Sequence, residues 1–472
     1  MDKGSQRQRF DAIAPHRDAW KKRNWYYHRQ LRDLVSSMVL PGSTVLEIGC
    51  GTGDLIGHLH PRWGVGIDIS EKMVRIAREK HPSIAFCVGD AEALPVSGTF
   101  DYVILSDLIG HLLDVWQACN ELRRIARPDT RIIITYFNYL WQPILLFAER
   151  LRLKLAQGHQ NWLSLEDIEN LLHLHGFETI TRGNRFLFPK YVPLLSPLLN
   201  RVIAKLPLLR RLCLIGFVVA RARSPRESRP RELSCSIIVP CKNEIGNIEP
   251  CVERIPEMGT HTEIIFVDGN STDGTPEAIL KCMDQYRGEK DIKLLAQGAG
   301  TGKGDAVRKG FEAASGDLLM ILDADLTVPP EDLPKFYLAL AEGRGELISG
   351  SRLVYPMERQ AMRTLNLIGN KFFSLAFTWI LEQRIKDTLC GTKALLRRDY
   401  KKIAEGRTFF GDFDPFGDFD LLFGAARLNM KITELPIRYR ERTYGVTKIS
   451  RFRHGWLLLR MSLIGLWKLK LS

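Results

Sequence analysis

Acidic residues and glycines stand directly after short apolar segments in two separate parts of this chain. In the first part, the apolar segment 43–48 leads into Gly49, Gly51 and Gly53, and a helical pattern begins at Asp54. A strand, a glycine turn and a helix open a nucleotide-binding βαβ unit, because glycine lets a ligand approach the backbone closely. The sequence therefore predicts a nucleotide site at this turn.

Three acids follow later predicted strands of the same unit, namely Asp68, Asp90 and Asp107. An acid at the offset of Asp68 from Gly49 can accept hydrogen bonds from ribose hydroxyls. Because ligands bind at the carboxyl ends of strands in an open parallel sheet, we expect these acids to converge with Glu47 on one crevice. An acidic crevice suits a cationic sulfonium better than a phosphate, and the GxGxG spacing lacks the turn that places a pyrophosphate on a helix N-terminus.

These residues resemble the class I S-adenosylmethionine-dependent methyltransferases over roughly residues 20–220. The segment 47–53 is similar to the first motif of that family, Asp68 falls where the family has its ribose-binding acid, and Asp90 falls where adenine is contacted. The resemblance implies S-adenosylmethionine as the cofactor. The implied cofactor-binding residues are Glu47, Gly49, Gly51, Gly53, Asp68, Asp90 and Asp107.

The methyl acceptor is less defined by the sequence. His111 follows the Asp107 strand, where related enzymes often carry a base or an acceptor contact, so it is a candidate catalytic residue. A packing or capping role for His111 is the alternative. The aromatic residues Trp25, Tyr26 and Tyr27 either cover the cofactor or pack an amphipathic helix into the core.

A second series of strands and acids lies in the other half of the chain. Apolar strands are predicted over 236–239, 263–267 and 317–322. The acids that follow them are Glu244, Asp268, Asp323 and Asp325. A DxD pair places two carboxylates on the same side of an extended backbone, which suits a hard divalent cation that also holds a diphosphate. Lys303 and Arg308 precede the third strand and add positive charge there.

This series resembles the family 2 glycosyltransferases of GT-A fold over roughly residues 234–472, and polyprenyl-phosphate sugar synthases of the dolichol-phosphate mannosyltransferase type most of all. The segments that carry the likeness are 239–244, 268–275, 302–304, 323–325, 350–352, 387–391 and 442–448. The resemblance implies nucleotide-sugar contacts to Pro240, Glu244, Asp268, Lys303 and Arg308. It also implies Mg or Mn on Asp323 and Asp325, and acceptor or phosphate contacts to Arg352, Arg442 and Lys448.

Two departures from the family pattern leave the base and the sugar open. Lys242 stands where the family usually has an aromatic residue, and Gly269 stands where a second acid often follows Asp268. A lipid phosphate is ionised at neutral pH and needs no strong general base, whereas a hydroxyl acceptor does. The segment 411–420 holds four aspartates, of which Asp420 is the candidate catalytic base; ordering of a polar loop is the alternative.

Composition and length indicate two domains. A chain of 472 residues is too long for one core, and the segment 222–233 is rich in arginine, glutamate and proline with almost nothing to bury. The sequence therefore predicts an α/β protein with a Rossmann-like methyltransferase sheet over 1–221, a linker over 222–233 and a GT-A nucleotide-sugar transferase fold over 234–472.

The net charge and the cysteines indicate which partners and which cellular compartment to expect. The net charge of +13 implies acidic partners, but the basic residues are dispersed and no nucleic-acid motif occurs, so we expect no nucleic acid. The nine cysteines have no metal-ligand spacing and are expected to be reduced thiols of a cytoplasmic protein.

Two apolar-basic segments, 191–214 and 455–470, are candidate interfacial segments that would bring the protein to the cytoplasmic face of a membrane. Packing within the domains is the alternative for both. No uncharged apolar run reaches the length of about 18 residues that a spanning helix needs, so peripheral contact is expected instead.

The sequence thus predicts a bifunctional transferase. One domain would move a sugar from a nucleotide diphosphate sugar to a polyprenyl phosphate or related glycan acceptor. The other would move a methyl group from S-adenosylmethionine to a sugar, a lipid or another acceptor. The alternative is a glycosyltransferase that carries a non-catalytic methyltransferase-like binding module.

Overall fold

Continuous runs of aliphatic residues form the central strands of two sheets, because a strand covered by helices on both faces is apolar on both faces. The computed structural model describes residues 2–151, 153–155, 158, 160–206, 209–223, 232–300, 302–352, 364–409, 419–437, 439–440, 442, 444 and 451–471. Among them, the side chains at 364–368, 370–371, 451–455 and 471 are not described. The chain divides into two compact units, Met1–Arg223 and Ser224–Ser472.

The strands of the first unit are β1 Thr44–Ile48, β2 Trp63–Asp68, β3 Ala85–Val88, β4 Tyr102–Ser106, β5 Arg131–Phe137, β6 Phe177–Arg185 and β7 Ile215–Ala222. Its helices are α1 Lys3–Arg23, α2 Trp25–Ser36, α3 Asp54–Leu59, α4 Glu71–Lys80, α5 Val115–Ile125, α6 Gln142–Arg150, α7 Leu165–Leu174 and α8 Leu195–Arg201. The described strands form a sheet in the order β3-β2-β1-β4-β5-β7-β6, in which β7 is antiparallel to both of its neighbours and the other pairs are parallel.

The strands of the second unit are β8 Cys235–Cys241, β9 Thr262–Asp268, β10 Asp291–Ala296, β11 Leu318–Ile321, β12 Leu347–Ser351, β13 Lys393–Leu396 and β14 Ile432–Pro436. Its helices are α9 Ile245–Arg254, α10 Thr275–Gln285, α11 Gly302–Ala313, α12 Leu333–Ala341, α13 Thr364–Leu381, α14 Arg397–Glu405, α15 Phe419–Arg427 and α16 Arg451–Gly465, followed by a π-helical turn over Leu466–Leu471. The described strands form a sheet in the order β10-β9-β8-β11-β13-β12-β14, in which β13 is antiparallel to both of its neighbours.

The two sheets confirm the predicted α/β class and the succession of two units along the chain. Strand β7 ends at Ala222 and strand β8 begins at Cys235. Of the segment that the sequence predicts to be a linker, residues 224–231 lie outside the described residues. Among the helices described here, none has the length and apolar character of a membrane span.

Each sheet brings its predicted strand-end acids to one edge. Strand β1 pairs in parallel with β2 and β4, so Gly49, Asp68 and Asp107 all follow the same edge. Strand β8 pairs in parallel with β9 and β11, so Asp268 and Asp323 do the same in the second unit. Parallel pairing is therefore the feature of the fold that assembles both candidate sites.

One strand acid, Glu47 in β1, is buried in the core of its sheet rather than placed at the edge. Its side chain is 3% exposed, and its Oε2 accepts a hydrogen bond of 3.0 Å from the Ile56 amide. Burial raises the pKa of Glu47 from 4.5 to about 8. In the folded protein this carboxyl is therefore protonated at pH values where it is ionised in the unfolded chain.

The substitution Glu47→Gln tests this protonation. Because the folded pKa is the higher one, the stabilising contribution is present below about pH 4.5 and is lost as the pH rises through about 8. Glutamine cannot ionise and retains an acceptor oxygen. We therefore expect urea unfolding of the full chain to lose more stability between pH 5 and 9 in the wild type than in Glu47→Gln. The exposed control Glu79→Gln should follow the wild type; parallel curves for all three proteins would contradict the assignment.

Candidate functional site

The turn after β1 forms the floor of a cleft in the first unit. Gly49 has a φ of +75°, and a Cβ there would come within 2.8 Å of the Leu108 side chain. The amide of Gly49 donates to the carbonyl of Ile67 at 2.7 Å, which ties the turn to the end of β2. Glycine is required at this position because the left-handed backbone and the close approach both exclude a side chain.

Asp68 fixes the same turn from the neighbouring strand. Its Oδ2 accepts a hydrogen bond of 2.8 Å from the Gly51 amide, and its Oδ1 accepts one of 2.9 Å from the Ser70 amide. Burial nevertheless raises the pKa of Asp68, while these two amides lower it. Backbone amides hold this carboxylate without cancelling its charge, so it can still accept hydrogen bonds from a ligand.

The cleft lies beyond the carboxyl ends of β1 to β4 and encloses about 750 Å³ together with its open mouth. The predicted site residues that line it are Gly49, Gly51, Asp68, Asp90, Asp107 and His111. Two predicted cofactor residues lie outside the lining: Glu47 is buried within β1, and Gly53 is the N-cap of α3, where a Cβ would meet Phe86. Both residues support the glycine turn from the side that faces away from the cleft.

Helix α1 covers the cleft, which sequence reasoning did not anticipate. Four of its residues line the cavity: Lys3, Gln6, Phe10 and Arg17. Lys3 Nζ lies 2.9 Å from Asp90 Oδ1, and Gln6 donates to the carbonyl of His111. The amphipathic pattern of α1 is weak, since only Gln6 and Ala14 are buried in it, so the sequence offered little signal.

The aromatic cluster 25–27 does not line the cofactor cleft and so does not form a lid over it. Tyr27 stacks on Phe137 with ring centroids 5.9 Å apart, whereas Trp25 and Tyr26 pack against Tyr191. Only Tyr27 reaches the strand-end acids, because its hydroxyl donates to Asp107 Oδ2 at 2.8 Å.

Asp107 and Tyr27 form a strained and desolvated pair. Asp107 has a φ of +53°, unusual for a residue with a side chain. Burial raises the pKa of Asp107 to about 6, and burial together with Asp107 raises the pKa of Tyr27 well above its usual value. In the part of the chain that the structure describes, the buried Asp107 Oδ1 has no hydrogen-bond partner. That oxygen is a candidate acceptor for a ligand proton.

His111 also lines the cleft, at the end of the 3-10 turn Ile109–His111. Its Nε2 lies 3.2 Å from Gln160 Nε2, and its ring packs edge-on against Phe10 at 5.5 Å. His111 therefore lines the cavity and also packs against Phe10. This position is compatible with either interpretation of the sequence.

In the second unit, cations neutralise the DxD pair that follows β11. Lys303 Nζ lies 2.5 Å from Asp323 Oδ1, and Arg442 Nη2 lies 2.6 Å from Asp325 Oδ2. Arg442 Nη1 also lies 3.4 Å from Glu244 Oε1. Burial would raise the pKa of Asp323, but Lys303 outweighs it and holds the pKa below its usual value. Five predicted residues therefore form two ion-paired groups, one on each acid of the DxD pair.

Gly391 confines this cluster. A Cβ at Gly391 would collide with both the Asp323 carboxylate and the Lys303 ammonium. Asp268 ends the adjacent strand β9, where its Oδ2 and Oδ1 accept hydrogen bonds from the Ser271 amide and hydroxyl at 3.1 and 2.5 Å. Pro240, the remaining predicted donor-site residue on this edge, pairs in β8 with Val267 of β9.

The donor set at the DxD fits a hard divalent cation only in part. Carboxylate oxygens are the ligands that Mg²⁺ and Mn²⁺ prefer. Within the described ranges, no group of three or more histidine, cysteine or acidic side chains could hold a metal. A metal here would take Asp323 and Asp325 and complete its coordination with phosphate oxygens and water. Lys303 and Arg442 would then need to leave the carboxylates.

Three other predicted residues form internal ion pairs. Arg352 donates two side-chain hydrogen bonds of 2.7 and 2.8 Å to the buried Asp387 and lies over the Tyr439 ring. Asp420 lies 2.7 Å from Arg407 Nε and 3.6 Å from Arg308 Nε. These pairings connect elements of the second unit to one another.

Several predicted residues cannot be placed. Lys448 and the aspartates of 411–418 lie outside the described residues. Residues that the sequence analysis missed include Arg17 of α1 and Arg407, the closer guanidinium on Asp420. Neither stands in a motif, so only the tertiary structure reveals it.

Comparison with known protein families gives one match in each half of the chain. The family model described as "Methyltransferase domain" matches residues 21–182, and the model described as "Glycosyl transferase family 2" matches residues 236–403. A dolichol-phosphate mannosyltransferase of Pyrococcus furiosus is 29% identical over 46% of this chain and 60% of its own length. One of Saccharomyces cerevisiae is 39% identical over 22% of this chain and 40% of its own length. The chain thus spans less than two thirds of either relative.

Solved structures with low similarity include proteins of both kinds. A SAM-dependent methyltransferase of Thermotoga maritima is 19% identical, with a TM-score of 0.36 over 46% of this chain and 99% of that chain. A glucosyl-3-phosphoglycerate synthase of Mycobacterium tuberculosis, solved with Mn²⁺ and uridine diphosphate, is 18% identical, with a TM-score of 0.39 over 51% of this chain and 81% of that chain. The family models alone thus identify a methyltransferase domain over residues 21–182, followed by a family 2 glycosyltransferase domain over residues 236–403.

Proposed function

We propose that the second unit transfers a sugar from a nucleotide diphosphate sugar to a polyprenyl phosphate or related glycan acceptor. The observation that carries this proposal is the DxD pair, whose two carboxylates meet Lys303 and Arg442 at the carboxyl edge of the sheet. The named relatives include dolichol-phosphate mannosyltransferases, which supports an acceptor that is a lipid phosphate.

The residues of this unit have different roles in the proposed reaction. Asp323 and Asp325 would hold Mg or Mn, which would supply positive charge to the nucleotide leaving group. Lys303 and Arg442, released from the carboxylates, would donate hydrogen bonds to the diphosphate. Asp268, oriented by Ser271, contacts the nucleotide base. Glu244 retains Arg442 at the cluster.

The acceptor should arrive already ionised. A carboxylate that serves as a general base must be available to a proton, and Asp420 is engaged with Arg407 and Arg308. A lipid phosphate needs no such base. Arg352 is likewise engaged with Asp387, so we assign it to positioning of the site rather than to direct phosphate contact. Lys448 remains a predicted phosphate ligand.

For the first unit, we infer methyl transfer from S-adenosylmethionine bound in the cleft below α1. Asp68 accepts hydrogen bonds from the ribose, Asp90 lies on the adenine side, and Gly49 and Gly51 admit the ligand to the backbone. When bound, the sulfonium supplies an electrophilic methyl group.

We also infer contact with a membrane surface. Trp456 and Trp467 are 66% and 63% exposed in the C-terminal helical segment, and Leu194 is 88% exposed in the segment that leads into α8. Exposed tryptophan and leucine beside lysine and arginine adsorb to anionic headgroups. An acceptor embedded in a membrane would make such contact necessary.

The cofactor assignment is tested by Asp68→Ala and Asp68→Asn. Loss of a charged acceptor for the ribose hydroxyls should cost about 1.5–3 kcal/mol, or about one to two decades in affinity for S-adenosylmethionine. Isothermal titration calorimetry measures this affinity directly. Asp33→Ala, on the exposed face of α2, should bind as the wild type does. Wild-type affinity in both folded Asp68 variants would refute the assignment.

The metal assignment is tested by Asp325→Ala. This variant should lose sugar transfer to polyprenyl phosphate, because the metal loses one of two protein carboxylates, yet it should bind S-adenosylmethionine normally. Product is followed by mass spectrometry with each nucleotide sugar and manganese. Asp284→Ala, whose side chain is an exposed partner of Arg287, is the matched control. Full transfer in excess chelator would show that the pair has another role.

The membrane inference predicts that the protein sediments with anionic liposomes at low salt and is released at high salt, since each nearby cation contributes about 1 kcal/mol. Replacement of Trp456 and Trp467 by serine should weaken sedimentation without a comparable loss of thermal stability. Leu280→Ser changes an apolar residue on α10 that is 52% exposed and should have no effect. If wild-type protein ignores anionic liposomes at low salt, a soluble acceptor becomes the better proposal.

A further inference from the structure

A second cavity, which encloses about 930 Å³ together with its open mouth, adjoins the cofactor cleft within the first unit. Arg17 and Asp107 line both spaces, so they mark the boundary between them. The second cavity extends from this boundary to Lys154 and to the segment that ends at Lys190. Neither the nucleotide nor the sugar chemistry described above accounts for this space.

The walls of the second cavity are apolar and its charge is mainly positive. Phe137, Leu145 and Leu155 are among its apolar residues. Arg17, Lys21, Lys154 and Lys190 are its cations, against Asp107 as its acid. His28 also lines it, and burial lowers the pKa of His28 to about 3, so this imidazole is neutral. A ligand that matches this lining has an apolar body and a negative charge.

Two of the four cations form no ion pair with a carboxylate within the described residues. Lys21 pairs with Asp54, and Lys154 pairs with a glutamate of α6. By contrast, Lys190 Nζ donates to the amide oxygen of Asn24 at 2.7 Å, and the buried Arg17 Nε has no hydrogen-bond partner in the part of the chain described. Burial, and then the nearby Arg23, lowers the pKa of Lys190. An anion between these two groups would satisfy both.

Helix α6, which lines the cavity, also carries an exposed apolar surface. Helix α6 lines the cavity with Leu145 and Ala148, while Ile144 and Phe147 of the same helix are exposed, the latter by 61%. The 3-10 turn before α6 is fixed to the leucine-rich segment 191–214, because Trp141 Nε1 donates to the carbonyl of Leu212 at 2.8 Å. Exposed apolar side chains around a cavity with an apolar wall indicate a ligand that comes from a lipid phase.

The inner end of the cavity carries the group that can take a proton. Asp107 Oδ2 is held by the Tyr27 hydroxyl, which leaves the buried Oδ1 as the oxygen without a partner within the described residues. Arg17 and Lys154 also act on this carboxylate electrostatically. With a pKa of about 6, Asp107 is ionised at neutral pH and remains more basic than an ordinary aspartate.

We infer that this cavity is the methyl-acceptor site and that its occupant is a lipid phosphate that carries a hydroxyl group, with Asp107 as the catalytic base. The inference rests on the methyl transfer proposed above. The product of sugar transfer to a lipid phosphate has these three features, namely an apolar chain, a phosphate and hydroxyls. The second unit would thereby supply the substrate of the first.

The proposed methyl transfer forms one bond and breaks one bond. The hydroxyl oxygen of the acceptor forms a bond to the methyl carbon, and the carbon–sulfur bond breaks with its electron pair left on sulfur. The hydroxyl proton passes to Asp107 Oδ1 and then to water. Tyr27 acts through Asp107 and is a positioning residue, while Lys190 and Arg17 hold the phosphate.

Binding to the full chain is measured by calorimetry with three probes: farnesyl phosphate, farnesol and inorganic phosphate. We expect farnesyl phosphate to bind at least about tenfold more tightly than farnesol or inorganic phosphate, because only farnesyl phosphate has both an apolar chain and a phosphate. Lys190→Gln should weaken farnesyl phosphate binding by about three- to tenfold, whereas Lys22→Gln, exposed on α1, should not. Equal binding of farnesol would exclude the phosphate contact, and equal binding of inorganic phosphate would exclude the lipid.

The role of Asp107 is tested with farnesyl phosphate, nucleotide sugars and S-adenosylmethionine supplied together. Wild-type protein should produce glycosylated farnesyl phosphate with the added mass of one methyl group. Asp107→Asn should lose this methylation while its affinities for S-adenosylmethionine and farnesyl phosphate stay within about threefold, and Tyr27→Phe should lower the rate with binding unchanged. Methylation at the wild-type rate by Asp107→Asn would refute the base.

Failure of the two proposals gives different results. If S-adenosylmethionine does not bind, the proposed methyl transfer fails. If it binds but farnesyl phosphate binding is absent or is unchanged by Lys190→Gln, the acceptor site fails and the methyl transfer stands, because the second unit is also proposed to bind a polyprenyl phosphate. If both bind and the glycosylated lipid forms without methylation, the cavity binds lipid phosphate but that product is not its substrate, and the inferred reaction sequence is wrong.

Discussion

The carboxylates at the strand ends are partly withdrawn from water, so each needs a partner that holds it, and the kind of partner determines what the site can bind. Backbone amides hold Asp68 and leave its negative charge in place, which suits hydroxyl donors and a cationic ligand. Lysine and arginine hold Asp323 and Asp325 and cancel their charges. We propose that a site of this second kind exchanges its protein cations for a metal bound to a diphosphate.

The same constraint explains why some strongly acidic or basic residues near the sites are not reactive. Arg352 and Asp387 form a buried two-point pair, and removal of one partner from such a pair typically costs about 3–5 kcal/mol. A guanidinium with that role stabilises the end of β12 and is not readily released to a substrate. Asp107 differs because its partner is a neutral hydroxyl, so its charge is neither cancelled nor well solvated.

The sequence predicted the elements whose signals are local. Runs of apolar residues define β1, β4, β8 and β9, and parallel pairing then places the following acids on one edge without further information. It did not predict that α1 covers the cofactor cleft, because that helix is held by polar contacts such as Lys3 to Asp90 rather than by an apolar stripe. It left Asp420 as a candidate base or as a residue that orders a polar loop, because Arg407, the closer of its two arginines, lies outside any motif and meets it only through tertiary packing.

The fusion of the two domains has a chemical rationale if one lipid phosphate passes through both. Sugar transfer to an ionised phosphate requires charge neutralisation and no base, which matches a unit whose strand-end acids are paired with cations. Methyl transfer to a hydroxyl requires a base, which matches a unit in which Asp107 keeps a buried oxygen without a hydrogen-bond partner among the described residues. The first reaction creates the hydroxyl-bearing head that the second needs, while the phosphate and the apolar chain persist for Arg17 and Lys190 to recognise.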